Sequence, residues 1–171
     1  METWEAIRAR RNVRRYSDEP ISAQHLDQIL EAGRRAPSAS NTQPWDFVVC
    51  TDRAQLQALA EVWRGAGHVA SSAATVVLVA PITDDARRSA MNEYDLGQAT
   101  MAMMLAATDL GIGSGHAAIG EQELARQLLG VPDDHVCLYL LAFGYPADRP
   151  LSPLKSPTRR AFEDVVHRGR W

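Results

Sequence analysis

Three stretches of this chain are apolar in the manner of strands. Asp46 to Thr51 carries the β-formers Phe47, Val48 and Val49. Thr75 to Ala80 is a continuous apolar run closed by Pro81, the pattern of a strand buried on both faces. Val136 to Phe143 is the third, ended by Gly144-Tyr145-Pro146. Elsewhere the apolar positions recur with helical spacing. Residues 3–11 predict a short helix with Trp4 and Ile7 on its apolar side. Residues 22–35 predict another: Ser22 caps it, Leu26, Ile29 and Leu30 share a face, and Pro37 closes it. Asp52 is placed to cap a helix carrying Leu56, Leu59 and Trp63 on one side. A long helix follows from about Asp85 to Leu110. Its second half, Met101 to Ala107, is apolar all round and belongs in a core or an interface. Gly111, Gly113 and Gly115 break it. Glu121 to Leu129 forms a further helix, stopped at Gly130-Val131-Pro132.

Three strands and five or six helices, without regular alternation, predict an α+β fold. A small mixed or antiparallel central sheet flanked by helices fits better than a doubly wound parallel sheet. At 171 residues, with no repeat or internal linker, the chain reads as one domain. The tail, residues 146–171, is rich in proline. It ends in a short segment, Arg160 to Val166, with apolar Phe162, Val165, Val166 and Trp171. A segment of this kind is predicted to wrap a partner subunit.

Composition narrows the choice of chemistry. A net charge of −3 argues against nucleic-acid binding. The longest apolar stretch, Ala99 to Ala107, is interrupted by Thr100 and falls far short of the roughly 20 residues that span a bilayer. The polar start Met1-Glu2-Thr3-Trp4 carries no export signal, so a cytoplasmic protein is expected. Cys50 and Cys137 fall in strand runs and are expected to be buried free thiols. No Cys-x-x-Cys spacing offers a zinc site.

Two segments carry chemical content. Arg8, Arg10, Arg11, Arg14 and Arg15 lie within eight residues, with no acid between Glu5 and Asp18. Cations at a helix C-terminus would account for two or three of them. A nucleic-acid patch lacks interleaved aromatics. A phosphate anchor suits the planar fork of guanidinium donors. The second segment is Pro37-Ser38-Ala39-Ser40-Asn41-Thr42-Gln43-Pro44-Trp45. It sets hydroxyls and amides on a backbone restricted at both ends by proline, which suits a polar ring edge. Gly111-Ile112-Gly113-Ser114-Gly115-His116 is no dinucleotide fingerprint, because a helix precedes it and the third glycine is misplaced. Hydrolase, zinc-protease and Walker patterns do not occur.

In order and spacing these segments resemble the FMN-dependent nitroreductase family over nearly the whole chain. The resemblance rests on Arg10-Arg11-Asn12-Val13-Arg14-Arg15-Tyr16, on Pro37 to Trp45, and on Gly111 to Ser114 after the long helix. It continues through Leu129-Gly130-Val131-Pro132, Gly144 to Ala147 and Arg159. It implies an intertwined homodimer with two FMN sites at the interface. It also implies NADH or NADPH as co-substrate and a small-molecule electron acceptor, nitroaromatic or quinone, reduced by a ping-pong mechanism. A dehalogenating or heterocycle-oxidising relative, or a non-catalytic flavin carrier, is the alternative. Arg10, Arg11, Asn12 and Arg14 would line the phosphate, ribityl chain and pyrimidine side, and Arg159 with Arg160 would close the phosphate site. Pro37, Ser38, Ala39, Asn41 and Gln43 would reach the flavin of the other subunit. Backbone near His116, Ala117 and Ala118 would approach the flavin N5 and O4 side. The flavin itself would carry the chemistry, so no catalytic side chain and no metal are expected. His116 stands where tryptophan is common. The short region from Pro81 to Asn92 implies an open site.

Overall fold

The run at 75–80 becomes the centre of a four-stranded sheet in the computed structural model, which describes residues 1–154 and 157–171. The strands are β1 (Asp46–Cys50), β2 (Ala74–Pro81), β3 (Gly113–Ala118) and β4 (His135–Gly144), in the order β1-β2-β4-β3. Every pairing is antiparallel. The helices are α1 (Thr3–Ala9), α2 (Ala23–Arg34), α3 (Arg53–Leu59), α4 (Ala86–Asp109) and α5 (Gln122–Leu129). Because β2 is covered on both sides, its residues from Ala74 to Ala80 are all buried. The two-residue period of a strand divides them between two cores. Val76, Leu78 and Ala80 join Leu141 and Phe143 against Ile29, Leu96, Met103 and Ala107. Val77 and Val79 join Leu140 and Ala142 against Leu56, Leu59 and Val62. Among the described residues, no helix is long and apolar enough to cross a membrane.

The predicted caps are in place. Ser22 accepts from the His25 amide at 3.1 Å and Asp52 from the Gln55 amide at 2.9 Å. Asp85, read from sequence only as the start of the long helix, also caps it, accepting from the amides of Arg87 at 2.9 Å and Arg88 at 3.2 Å. Gly130 ends α5 in the left-handed region at φ 64°. Asp85→Ala is expected to cost about 1 kcal/mol. Urea denaturation would report it as a lower midpoint at unchanged slope.

Four features differ from the sequence reading. Gly113 to Ala118 is a strand, although it contains none of the strong β-formers Val, Ile, Thr, Tyr, Phe or Trp. The reason is its neighbour. Val13 donates its amide to the Ser114 carbonyl at 2.8 Å, and Asn12 forms a parallel bridge to Ser114. A Cβ on Gly113 would lie 2.5 Å from Val13 Cγ2, so this backbone approach excludes a side chain. Helix α1 therefore stops at Ala9, two residues early, to release the chain into that pairing. Trp63 lies beyond α3 and packs where a Cβ on Gly120 would be, 2.5 Å from its ring. Finally, α4 is not buried all round: Ala99, Met103 and Ala107 are in the core, while Met101 is 46% exposed.

Candidate functional site

Arg8 and Arg10, from the end of α1, share one recess with Arg159 from the tail. It has a volume of about 490 Å³ and is walled by Trp4, Ile7, Met101 and Leu105. Among the described residues, no carboxylate lines it. The position of Arg10 follows from the helix stop, for its backbone is already extended (φ −58°, ψ 125°). Three guanidinium groups on apolar walls are a donor set that fits a phosphate ester joined to an organic body.

The other arginines are turned elsewhere. Arg11 donates to Asp148 Oδ1 at 2.6 Å and to the Arg149 carbonyl at 2.9 Å, tying the first segment to the start of the tail. The Arg11 hydrogen bond is the largest cause holding the Asp148 carboxyl down at about 2. A depressed folded value means that this link is present above the ordinary carboxylate range and is lost as pH falls through about 2. Asp148→Asn is accordingly expected to flatten the part of the acid-unfolding curve between the ordinary value of 3.8 and about 2. Arg160 donates to the Asp164 carbonyl at 2.5 Å. Asn12 and Arg14 are exposed beside the outer edge of β3, flanking the buried Val13. Arg14 makes no ion pair among the described residues.

Met101 also borders a second hollow of about 400 Å³ between α4 and the sheet. Leu96, Met104 and Leu141 line it together with Glu93, His116 and Tyr139. Strand alternation explains the placing of the sequence candidates. His116 faces this groove, Ala117 is buried in the opposite core, and Ala118 is half-buried. Behind the strand lies the buried His68. Burial, the largest cause, lowers its pKa, and among the described residues its Nε2 has no hydrogen-bond partner. Burial also pushes Cys50 up to about 11, and Cys137 upwards, so both thiols are poor nucleophiles.

The 37–43 loop is a tight, left-handed structure. Ser40, Asn41 and Gln43 have φ of 51°, 56° and 49°, a region that non-glycine residues seldom occupy. Inside the loop, Ser38 Oγ accepts from the Gln43 amide at 2.9 Å, and the Ser38 carbonyl accepts from the Asn41 amide at 3.0 Å. Pro37, Ser38 and Ala39 line a recess with Tyr94, Asp95 and Gln98 of α4. Gln43 lines another beside Trp45 and Phe47. Glu93, Gly97 and Thr100 of the same helix border the His116 groove instead. The loop recess and the His116 groove therefore use different faces of α4, and among the described residues Arg8, Arg10 and Arg159 line neither the loop recess nor that of Gln43. Sequence reasoning missed Asp95, which is 2% exposed; an acid spaced among the inward positions of α4 was the available signal.

The antiparallel sheet and its helical layers place the chain in the α+β class, with a basic recess over α4. The sequence profile of the Nitroreductase family matches residues 7–145. The chain belongs to that family. It is 34% identical over 169 residues to a protein of Archaeoglobus fulgidus provisionally named NADH dehydrogenase/NAD(P)H nitroreductase, with 96% of each chain covered. It is 31% identical to the oxygen-insensitive NADPH nitroreductase of Salmonella typhimurium, covering 99% of this chain and 74% of that one. The fold is also that of an FMN-dependent nitroreductase of Clostridium difficile, with a TM-score of 0.85 at 23% identity over 98% of this chain and 99% of that one.

Proposed function

We propose that this nitroreductase-family enzyme holds FMN and moves electrons from NADH or NADPH to a small-molecule acceptor such as a nitroaromatic or quinone. It is an NAD(P)H-dependent flavin oxidoreductase. The observation that carries the choice of FMN is the recess shared by Arg8, Arg10 and Arg159, whose guanidinium donors, with no carboxylate beside them among the described residues, suit a ribityl phosphate. When bound, FMN supplies the redox chemistry.

The remaining work belongs to the chain. The arginines hold the phosphate. Leu96, Met104 and Leu141 offer the ring an apolar floor that excludes water, next to the backbone of His116, Ala117 and Ala118. Asn12 and Arg14, on the free side of the segment beside β3, serve the ribityl and pyrimidine side. Ser38 and Gln43 line recesses apart from their own chain's groove, and Asn41 is exposed, which supports a role for the loop in a partner's site. A homodimer would unite the two halves. The exposed apolar residues Trp4, Ile7, Tyr94, Met101 and Phe162 support such an interface. Donor and acceptor would use one ring face in turn, a ping-pong order.

Purified protein is expected to be yellow and dimeric, and to bleach on anaerobic addition of NADH or NADPH, with colour restored by a quinone or nitroaromatic. A colourless monomer that takes up no FMN would refute the reading. A yellow dimer that neither nicotinamide bleaches would leave flavin binding and remove the enzymatic role.

A further inference from the structure

We propose that Asp95 is the positioning residue that fixes the 37–43 loop in the shape the cofactor meets, an inference that rests on the FMN reading above. Asp95 sits in the middle of α4 and is 2% exposed. Its Oδ2 accepts from the Ala39 amide at 3.0 Å, and its Oδ1 accepts from Gln98 Nε2 at 3.1 Å. The same Gln98 nitrogen reaches the Pro37 carbonyl at 3.4 Å. Among the described residues no basic group forms an ion pair with Asp95. Arg87 borders the same recess and leaves it alone. A carboxylate withdrawn from water without a cation is costly, and its compensation here is two donors, one of which belongs to the loop.

The loop needs such a clamp. Ser40, Asn41 and Gln43 all lie in the left-handed region. Strained backbone of this kind persists only where the surroundings over-determine it. Three side-chain ties do so: Asp95 to Ala39, Gln98 to Pro37, and Ser38 to Gln43. Two of them depend on Asp95, because its Oδ1 also orients Gln98. With the Ala39 amide taken, the polar side chains the loop presents outward are those of the exposed Ser40, Asn41, Thr42 and Gln43.

The chemistry explains an acid rather than an amide. A carboxylate accepts at both oxygens, so it satisfies the Ala39 N–H and the Gln98 NH₂ together. Asparagine could accept from only one of them and would set its own NH₂ against the other donor. The two variants should therefore form a graded series.

The test combines hydrogen exchange of the loop with flavin affinity, in the full-length protein. Asp95→Ala is expected to speed amide exchange at residues 38–42 by tenfold or more and to weaken FMN at least tenfold. Asp95→Asn should give a smaller change in both. Asp95→Asn/Gln98→Glu restores the donor–acceptor match between the two side chains but gives up the bond to the Pro37 carbonyl, so relative to Asp95→Asn it should recover protection at the Ala39 amide only, a rescue that a plain core defect would not show. Wild-type exchange at 38–42 in Asp95→Ala overturns the clamp whatever the flavin does. Faster exchange with unchanged FMN affinity overturns the link to the cofactor. If Asp95→Ala fails to fold, the Asp95→Asn pair is read by the same criteria. Wild-type protein that takes up no FMN would instead overturn the functional reading, and the exchange data alone would then decide the clamp.

Discussion

The double replacement Arg10→Ala/Arg159→Ala will release FMN while leaving riboflavin affinity unchanged. Both side chains line the recess that holds no carboxylate among the described residues, and they approach it from opposite ends of the chain. A hydrogen bond to a charged group contributes roughly 1.5–3 kcal/mol. At about 1.4 kcal/mol per decade, each single replacement weakens FMN by about 10- to 100-fold. The two act on one ligand group, so their effects are coupled rather than simply additive. A combined loss of about 1,000-fold is expected, with Arg8 keeping some residual attraction. Arg10→Lys should fall between wild type and alanine, because it keeps the charge and loses the planar fork. Arg35→Ala is the control, since that guanidinium is engaged with Glu31 at 2.6 Å on the far surface of α2. Fluorescence titration with both flavins reads the result. Equal weakening of FMN and riboflavin would move the arginines from the phosphate to the ring.

This arrangement was only partly legible in the sequence. Helices and strands with strong local signals came out where the pattern put them, because caps such as Ser22 and Asp52 act within four residues. The strand at 113–118 did not, because glycine and alanine carry no β-propensity; it forms through pairing with Leu140 and Ala142 and with the distant Val13. The five clustered arginines looked like one anion site. Adjacent residues of an extended segment point to opposite sides, so the cluster divides: Arg10 faces the recess and Arg11 faces Asp148. That Asp148 would claim Arg11 depends on a contact 137 residues away in sequence, which no local pattern encodes. The loop's polar content was readable, whereas its clamp by Asp95 was not, for the same reason. Dividing the loop and the His116 groove between two faces of α4 required the fold, and this division is what makes a second copy of the chain a natural part of the proposed site.

Gly115→Ala is expected to be the most damaging single methyl in the molecule. A Cβ there would lie 2.3 Å from the Val13 carbonyl oxygen, 3.0 Å from Tyr16 Oη and 3.2 Å from His68 Nε2. None of the three can give way cheaply. The Val13 oxygen is backbone, and it already accepts from the buried Tyr16 hydroxyl at 2.8 Å. The Val13 amide is bonded to Ser114 at 2.8 Å, so segment 12–16 is held against β3 from both sides. Relief requires the whole segment to lift, taking Val13 and Tyr16 out of the core. Overpacking typically costs about 1–3 kcal/mol, and a backbone collision belongs at or above the upper end. A loss of at least 3 kcal/mol corresponds to a fall in Tm of roughly 6–12 °C for a domain of this size. FMN should be lost as well, because Arg10 and Asn12 hang from the segment that moves. Gly97→Ala gives the opposite sign. It lies inside α4 with nothing within 4 Å of its added Cβ, so the helix gains about 0.5–1 kcal/mol. A Gly115→Ala protein that melts with wild type and keeps its flavin would show that the pairing of Val13 with β3 does not anchor the site.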